Sequence, residues 1–150
     1  MNSRAFDRLT ILFVVLIFGT VSVTLAEGVR KRIKFPRGRT STVINNAVLR
    51  DEVDQYILNA RAGQRMRVDI TSVEDNASFE IVRPDKTQLP GAGFDDDARH
   101  WNGELPESGD YVIEVAPTRG NATYRLKVEI VDNYHRGLVG GHGAGQVSHK

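Results

Sequence analysis

The chain has 150 residues, a length typical of one domain, with 20 basic residues, 19 acidic residues and no cysteine. Without cysteine there are no disulfides, so an exported form of this chain is held together by its core alone. The near-neutral balance argues against nucleic acid as a partner, because phosphate binding needs a basic surplus on one face.

The first 26 residues predict a secretory signal peptide. Arg4 and Arg8 precede an apolar run at 9–18, and the small residue Ala26 stands at the exit. A basic start, an apolar centre of about ten residues and a small exit residue are typical of such leaders. An uncleaved membrane anchor is the alternative, because the run with its extension to Ala26 is nearly long enough to span a bilayer. Cleavage would leave 18 basic and 18 acidic residues (20 minus 2, and 19 minus 1), with no cysteine to carry a lipid anchor.

From residue 30 onward the main signal is alternation of apolar and polar side chains, which predicts half-buried strands. Turn residues such as Pro, Gly, Asn and Asp separate the runs. Strands are expected at 32–35, 41–48, 53–60, 64–72, around 79–81, near 101, at 111–115 and at 123–131. Seven or eight short strands predict one all-β domain over residues 27–133, an antiparallel β-sandwich or jelly roll.

Two segments at the margins of this domain differ from it in composition. Residues 134–150 are rich in glycine without alternation and predict a flexible tail, in which His142 and His149 make a poor metal site. The basic cluster Arg30-Lys31-Arg32 with Lys34 is read as a solvated strand edge, with an anionic surface as its alternative partner.

The sequence contains no clear catalytic motif. Nucleophilic catalysis by Ser108 needs a base within hydrogen-bond reach, and the histidines at 100, 135, 142 and 149 offer no obvious one. The acidic run Asp95–Asp97 suggests calcium, but it lacks the alternating ligand spacing of an EF-hand and predicts a solvated loop. No enzyme activity, cofactor or metal is therefore predicted.

Two further motifs each allow a functional interpretation and one without functional meaning. Trp101 with Asn102-Gly103 is either a core aromatic or a stacking platform for sugars. Asn76-Ala-Ser78 and Asn121-Ala-Thr123 match the glycosylation acceptor pattern, which is common by chance.

A family pattern runs through the predicted domain. It comprises Lys34-Phe35-x-x-Gly38, then Tyr56 with Ala60 and Gly63-Gln64, then Leu105-Pro106 with Ser108-Gly109-x-Tyr111, then Thr118-Arg119, and finally Tyr124 with Val128 and Ile130. This order resembles the bacterial periplasmic inhibitors of goose-type (g-type) lysozyme, and its framework also resembles secreted β-sandwich modules appended to bacterial peptidases. Arg50 lies near the place of a family Tyr, and Ala122-Thr123 replace a second family Arg.

The resemblance implies a secreted or periplasmic protein whose partner is a g-type lysozyme. It implies that Ser108, Gly109 and Tyr111 form a loop that enters the lysozyme cleft, with Arg119 as a neighbouring guanidinium that holds a catalytic carboxylate. As the first inward residue of a strand, Tyr111 is most simply a core residue whose hydroxyl group braces the turn, with direct contact as the alternative. The alternative roles are a turn-stabilising hydroxyl for Ser108 and a solubilising loop charge for Arg119. The rival functions are a carbohydrate- or cell-wall-binding module that uses Trp101 and Asn102, and an envelope protein that keeps only the scaffold. Oligomeric state is not predicted, and a membrane is a partner only if the leader is uncleaved.

Overall fold

A computed structural model describes residues 28–133, so the predicted signal peptide and the predicted tail lie outside the described residues. The described part contains eight strands and a short 3₁₀ helix, Phe94–Asp96, between the fifth and sixth strands. The strands are β1 Arg30–Arg32, β2 Ser41–Val48, β3 Asp54–Ala60, β4 Arg65–Ser72, β5 Ala77–Val82, β6 His100–Glu104, β7 Gly109–Pro117 and β8 Ala122–Val131. None of the helical structure within 28–133 is long and apolar enough to cross a membrane.

The strands form two four-stranded sheets, which confirms the predicted all-β sandwich. One sheet has the order β1-β3-β7-β5 and the other the order β2-β8-β4-β6. All pairings are antiparallel except that of β1, which runs parallel to β3. The first strand was placed at 32–35 by the sequence and lies at Arg30–Arg32, because its position is set by pairing with β3 rather than by alternation.

The core lies between the sheets and is built by the alternation seen in the sequence. On β7 the inward residues are Tyr111, Ile113 and Val115, all fully buried. The inward rows of β4 and β8 face them from the other sheet. Because one face of β4, β7 and β8 is apolar, the register of these strands cannot slip by one residue without exposing the whole row.

The strand β7 separates two ends of the sandwich. We define the Ser108 end by residues 61–64, 83–87 and 105–108, and the Arg119 end by residues 49–53, 73–76 and 118–121. Nine extended residues at a rise of about 3.4 Å each put these two ends about 30 Å apart. Ser108 and Arg119 therefore lie at different ends of the sandwich.

A buried polar network links the two sheets near the Arg119 end. The carboxylate of Asp54 on β3 accepts hydrogen bonds from Tyr124 on β8 (2.5 Å) and from the side chain of Asn46 on β2 (2.9 Å). The hydroxyl groups of Tyr56 and Tyr124 are 2.5 Å apart. Burial, together with the hydrogen bonds to Asp54 and Tyr56, raises the pKa of Tyr124 far above its usual value.

This network predicts a loss of stability in alkali. A tyrosine whose pKa is higher in the folded state stabilises the fold fully below the unfolded pKa of about 10, and this contribution is lost as the pH rises further. Urea unfolding can be followed by circular dichroism at several values between about pH 8 and about pH 11. The free energy of unfolding should fall above about pH 10. In Tyr124→Phe the starting stability should be lower, because Asp54 loses a buried donor, and the alkaline fall should be shallower. An equal fall in both proteins would contradict the assignment.

Candidate functional site

The segment Ser108-Gly109-Asp110-Tyr111 builds the turn between β6 and β7. The Ser108 hydroxyl oxygen accepts a hydrogen bond from the backbone N–H of Ala62 at 2.9 Å. Gly109 has φ of +147°, and a Cβ there would meet the ring of Pro84 at 2.8–2.9 Å. The position therefore requires glycine on two grounds, conformation and space.

Tyr111 has no exposed surface, and its hydroxyl group braces the same turn. It donates to the carbonyl oxygen of Glu107 at 2.8 Å, and burial raises its pKa. Asp110 accepts from both terminal nitrogens of the Arg32 guanidinium at 2.7 and 3.0 Å, and this partner lowers its pKa. The motif is thus accounted for by contacts that hold β1, the β3–β4 turn and β7 together, and contact of its residues with a lysozyme stays a prediction.

The Ser108 end is concave. A cavity of about 690 Å³ is lined there by residues 61–64, Ser108, Asp132 and Asn133. The arginines at this end have carboxylate partners: Arg61 with Asp132, Arg83 with Glu107 and Asp85, and Arg32 with Asp110. This end therefore offers a polar hollow whose neighbouring arginines Arg32, Arg61 and Arg83 already have carboxylate partners.

Arg119 lies in the loop between β7 and β8 and is exposed. One terminal nitrogen of its guanidinium donates to the carbonyl oxygen of Glu74 at 2.6 Å. Within residues 28–133 it has no carboxylate within ion-pair distance. Most of its five N–H donors remain for a partner.

The loop that carries Arg119 is held by a buried asparagine. The side chain of Asn76, only 1% exposed, donates to the carbonyl oxygens of Arg119 (3.0 Å) and Asn121 (2.9 Å). The backbone carbonyl oxygen of Asn76 accepts a hydrogen bond from the N–H of Thr118 at 2.8 Å. The backbone N–H of Asn76 donates to the hydroxyl oxygen of Ser72. The arrangement fixes the loop backbone on both sides of Arg119, so the guanidinium starts from a rigid base.

The structure contradicts the expected neighbourhood of Ser108 and Arg119. They flank β7 and so lie at opposite ends of the sandwich. The reason is the length of the strand, since nine extended residues carry the chain from one end to the other. The expectation that the Ser108 loop and the Arg119 guanidinium enter one groove side by side is therefore wrong for this chain.

The surface at the Arg119 end combines exposed apolar and exposed basic side chains. Val73 on the β4–β5 turn is 90% exposed and Leu49 on the β2–β3 loop is 51% exposed. Arg50 is also exposed, and its backbone N–H donates to the side-chain oxygen of Asn121, which ties its loop to that of Arg119. Arginine is enriched in protein interfaces, and the exposed side chains of Val73 and Leu49 add apolar surface that a partner can bury.

The residues of the rival sugar-binding hypothesis are engaged within the fold. The Trp101 indole N–H donates to the carbonyl oxygen of Pro90 at 3.1 Å, and its ring covers Gly103 and packs against the core. The Asn102 side chain accepts from Arg65 at 2.8 Å. Both side chains are therefore used in contacts within the sandwich.

The described residues contain no arrangement that suggests catalysis. His100, the one histidine among residues 28–133, pairs with Asp69 at 2.5 Å on the outer face of β4 and β6, away from Ser108. In the acidic run Asp97 pairs with Arg99, and the Asp96 carboxylate accepts from the backbone of Gly93. No cluster of three or more potential metal ligands occurs in this part of the chain.

Sequence reasoning missed Asn76 as a positioning residue. It was noted only as a glycosylation acceptor, whereas its side-chain nitrogen is buried and used twice. An asparagine directly after a turn and before a buried strand is the only signal the sequence carries for such a role.

The clamp predicts a specific stability loss. Asn76→Ala should lower the free energy of unfolding by about 1–3 kcal/mol, because two loop carbonyls lose the buried amide that donates to them. The control Asn121→Ala removes one exposed bond to the Arg50 backbone and should cost less than about 1 kcal/mol. Urea unfolding measures both, and equal effects would show that Asn76 is no clamp.

Comparison with known proteins gives structural neighbours. No family model matches the chain, and no curated protein matches it in sequence. Among solved structures the chain is similar to PliG of Aeromonas hydrophila, a periplasmic lysozyme inhibitor of g-type lysozyme, with 29% identity and a TM-score of 0.59. That match covers 71% of this chain and 100% of the inhibitor.

Two further structures share the fold at lower identity. A mutant of the Escherichia coli PliG is 20% identical with a TM-score of 0.57, over 69% of this chain and 99% of that one. The pre-peptidase C-terminal domain of a Bacillus anthracis collagenase is 16% identical with a TM-score of 0.51, over 68% and 96%. The resemblance seen in the sequence motifs is thereby confirmed: the chain is structurally similar to the g-type lysozyme inhibitors and to the wider pre-peptidase-like sandwiches.

Proposed function

We propose that this chain is an exported, periplasmic or secreted inhibitor of g-type lysozyme that meets the enzyme with its Arg119 end. The observation that carries the proposal is the similarity to Aeromonas hydrophila PliG over the whole of that inhibitor. The predicted leader fits such a location. The protein acts by binding and has no catalytic step of its own.

The chemistry of the target favours an arginine. A lysozyme cleft presents at least one carboxyl group that has to act as an acid or a base. A guanidinium stays charged at physiological pH and binds a carboxylate through two parallel hydrogen bonds. Arg119 is exposed and has no carboxylate partner within residues 28–133, which supports it as the residue that engages this group.

The surroundings of Arg119 favour tight contact. Val73 and Leu49 supply exposed apolar surface at the same end, and burying it stabilises a complex by about 25 cal/mol per Å² before ordering costs. The hydrogen bonds from Asn76 hold the loop before the partner arrives, so little conformational freedom is lost on binding. In this proposal Ser108, Gly109 and Tyr111 shape the opposite end and the scaffold.

Inhibition is tested directly with the protein expressed at full length and purified as the host processes it. Titration against a g-type lysozyme on a cell-wall substrate should slow lysis in proportion to the inhibitor added. Unchanged lysis at micromolar excess would reject the proposal for that enzyme. Retention of the protein on peptidoglycan without lysozyme would favour the rival wall-binding function instead.

Substitutions at the two ends locate the contact. Arg119→Ala should weaken inhibition by about 2 kcal/mol or more, roughly 30-fold, because a buried carboxylate would lose its partner. Arg67→Ala removes an exposed arginine from the outer face of β4, away from the Arg119 end, and is the matched control. Ser108→Ala should leave inhibition within about two-fold. A loss in Ser108→Ala with none in Arg119→Ala would place the contact at the other end.

A further inference from the structure

A groove runs between the free edges of the two sheets, on the side of the molecule formed by β1 and β2. Both are edge strands, since β1 pairs only with β3 and β2 only with β8. The groove has a volume of about 500 Å³, and its walls are residues 31–34 on one side and residues 42–45 on the other, with Tyr56 at its base. The function proposed above uses neither wall.

The backbone of each wall has unused hydrogen-bonding groups. Thr40 accepts from Ile130 N–H, so by the alternation of an antiparallel ladder the even-numbered residues of β2 face β8. The N–H and C=O groups of Val43 and Asn45 therefore point away from the sheet. A row of such groups on an edge strand is a template for an added strand.

The backbone of β1 follows the same logic. Val29 accepts from Gln55 N–H at 2.7 Å, and Ile33 N–H donates to Ile57 at 2.8 Å. Residues 29, 31 and 33 thus face β3, and the backbone groups of Arg30 and Arg32 face away. The groove is bordered on both sides by open strand edges.

The charged side chains that line this groove, Lys31, Arg32 and Lys34, are all basic. Residues 28–48 contain six basic side chains and no acidic one: Arg30, Lys31, Arg32, Lys34, Arg37 and Arg39. Arg32 pairs with Asp110, but Lys31, Lys34, Arg37 and Arg39 have no ion pair within residues 28–133. A second copy of this chain is a poor occupant, because edge-to-edge pairing would bring two sets of like charges together.

We propose that the groove between β1 and β2 binds an extended acidic segment of a partner protein. The segment adds as a strand to the free edge of β2, and its carboxylates meet the ammonium groups of Lys31 and Lys34 on the facing wall. Main-chain hydrogen bonds provide affinity in this mode, while the charges select the partner and fix its position. The proposal is independent of lysozyme inhibition.

The test uses fluorescence anisotropy with a labelled hexapeptide of alternating glutamate and valine, which places every carboxylate on one face of the strand. The protein expressed at full length and purified as processed should bind it, more weakly as salt rises. The matched peptide of alternating lysine and valine should not bind. Absence of binding to the acidic peptide, or equal binding of both peptides, overturns the proposal and leaves the lysines as guards against edge aggregation.

Two kinds of variant separate charge from strand pairing. Lys31→Glu with Lys34→Glu should weaken binding by about ten-fold or more, whereas Arg67→Glu with Lys86→Glu, the same change of charge elsewhere, should stay within about two-fold. Val43→Pro removes a free-edge N–H without touching the ladder to β8 and should also weaken binding about ten-fold, unlike Val43→Ala. Asn45→Pro repeats this test if Val43→Pro does not fold, as judged by circular dichroism.

Three other results would show that something other than an acidic strand occupies the groove. If proline at 43 and at 45 leaves binding intact while charge reversal abolishes it, the surface attracts anions without pairing, and the strand proposal is wrong. Binding to vesicles of anionic lipid with the same pattern would then identify a membrane surface. A dimer in wild-type protein that becomes a monomer in Val43→Pro would show that a second copy occupies the edge.

Discussion

The length of β7 is the constraint on which the account of this molecule depends. Its nine residues bury Tyr111, Ile113 and Val115 in the core and carry the chain from one end of the sandwich to the other. Because these side chains fill a core that no disulfide supports, the strand cannot shorten or bend to bring its flanking loops together. A partner that contacts the loops flanking β7 therefore meets the Ser108 end or the Arg119 end, about 30 Å apart by the rise of an extended chain.

The two ends differ in how their arginines are used. At the Ser108 end Arg32, Arg61 and Arg83 are tied to carboxylates that connect neighbouring strands. At the Arg119 end the guanidinium bonds a single backbone carbonyl, and the apolar side chains of Val73 and Leu49 are exposed beside it. The first pattern holds a fold together, and the second leaves charge and apolar surface for a partner.

Much of the fold was predictable from the sequence, because half-buried strands leave a period of two. The inward rows of β4, β7 and β8 were read directly from that period. The strand β1 was misplaced, since its three side chains are all exposed and carry no alternation. Its parallel pairing depends on Gln55 and Ile57 of β3, which are distant in sequence.

The candidate site was predictable only in its residue types. Arg119 and the Ser108-Gly109-x-Tyr111 turn were singled out from a resemblance, but their distance follows from where β7 begins and ends. The part played by Asn76 was not visible, because a buried amide that binds two loop carbonyls has no periodic signature. Tertiary hydrogen bonds of this kind become apparent only once the loops are placed.

The central claim, that one end of the sandwich faces the enzyme, is tested most directly by amide hydrogen exchange. Exchange measured with and without a g-type lysozyme should show new protection in residues 49–53, 73–76 and 118–121. Residues 61–64 and 105–108 should exchange as they do in the free protein. Protection confined to those latter residues would contradict the account.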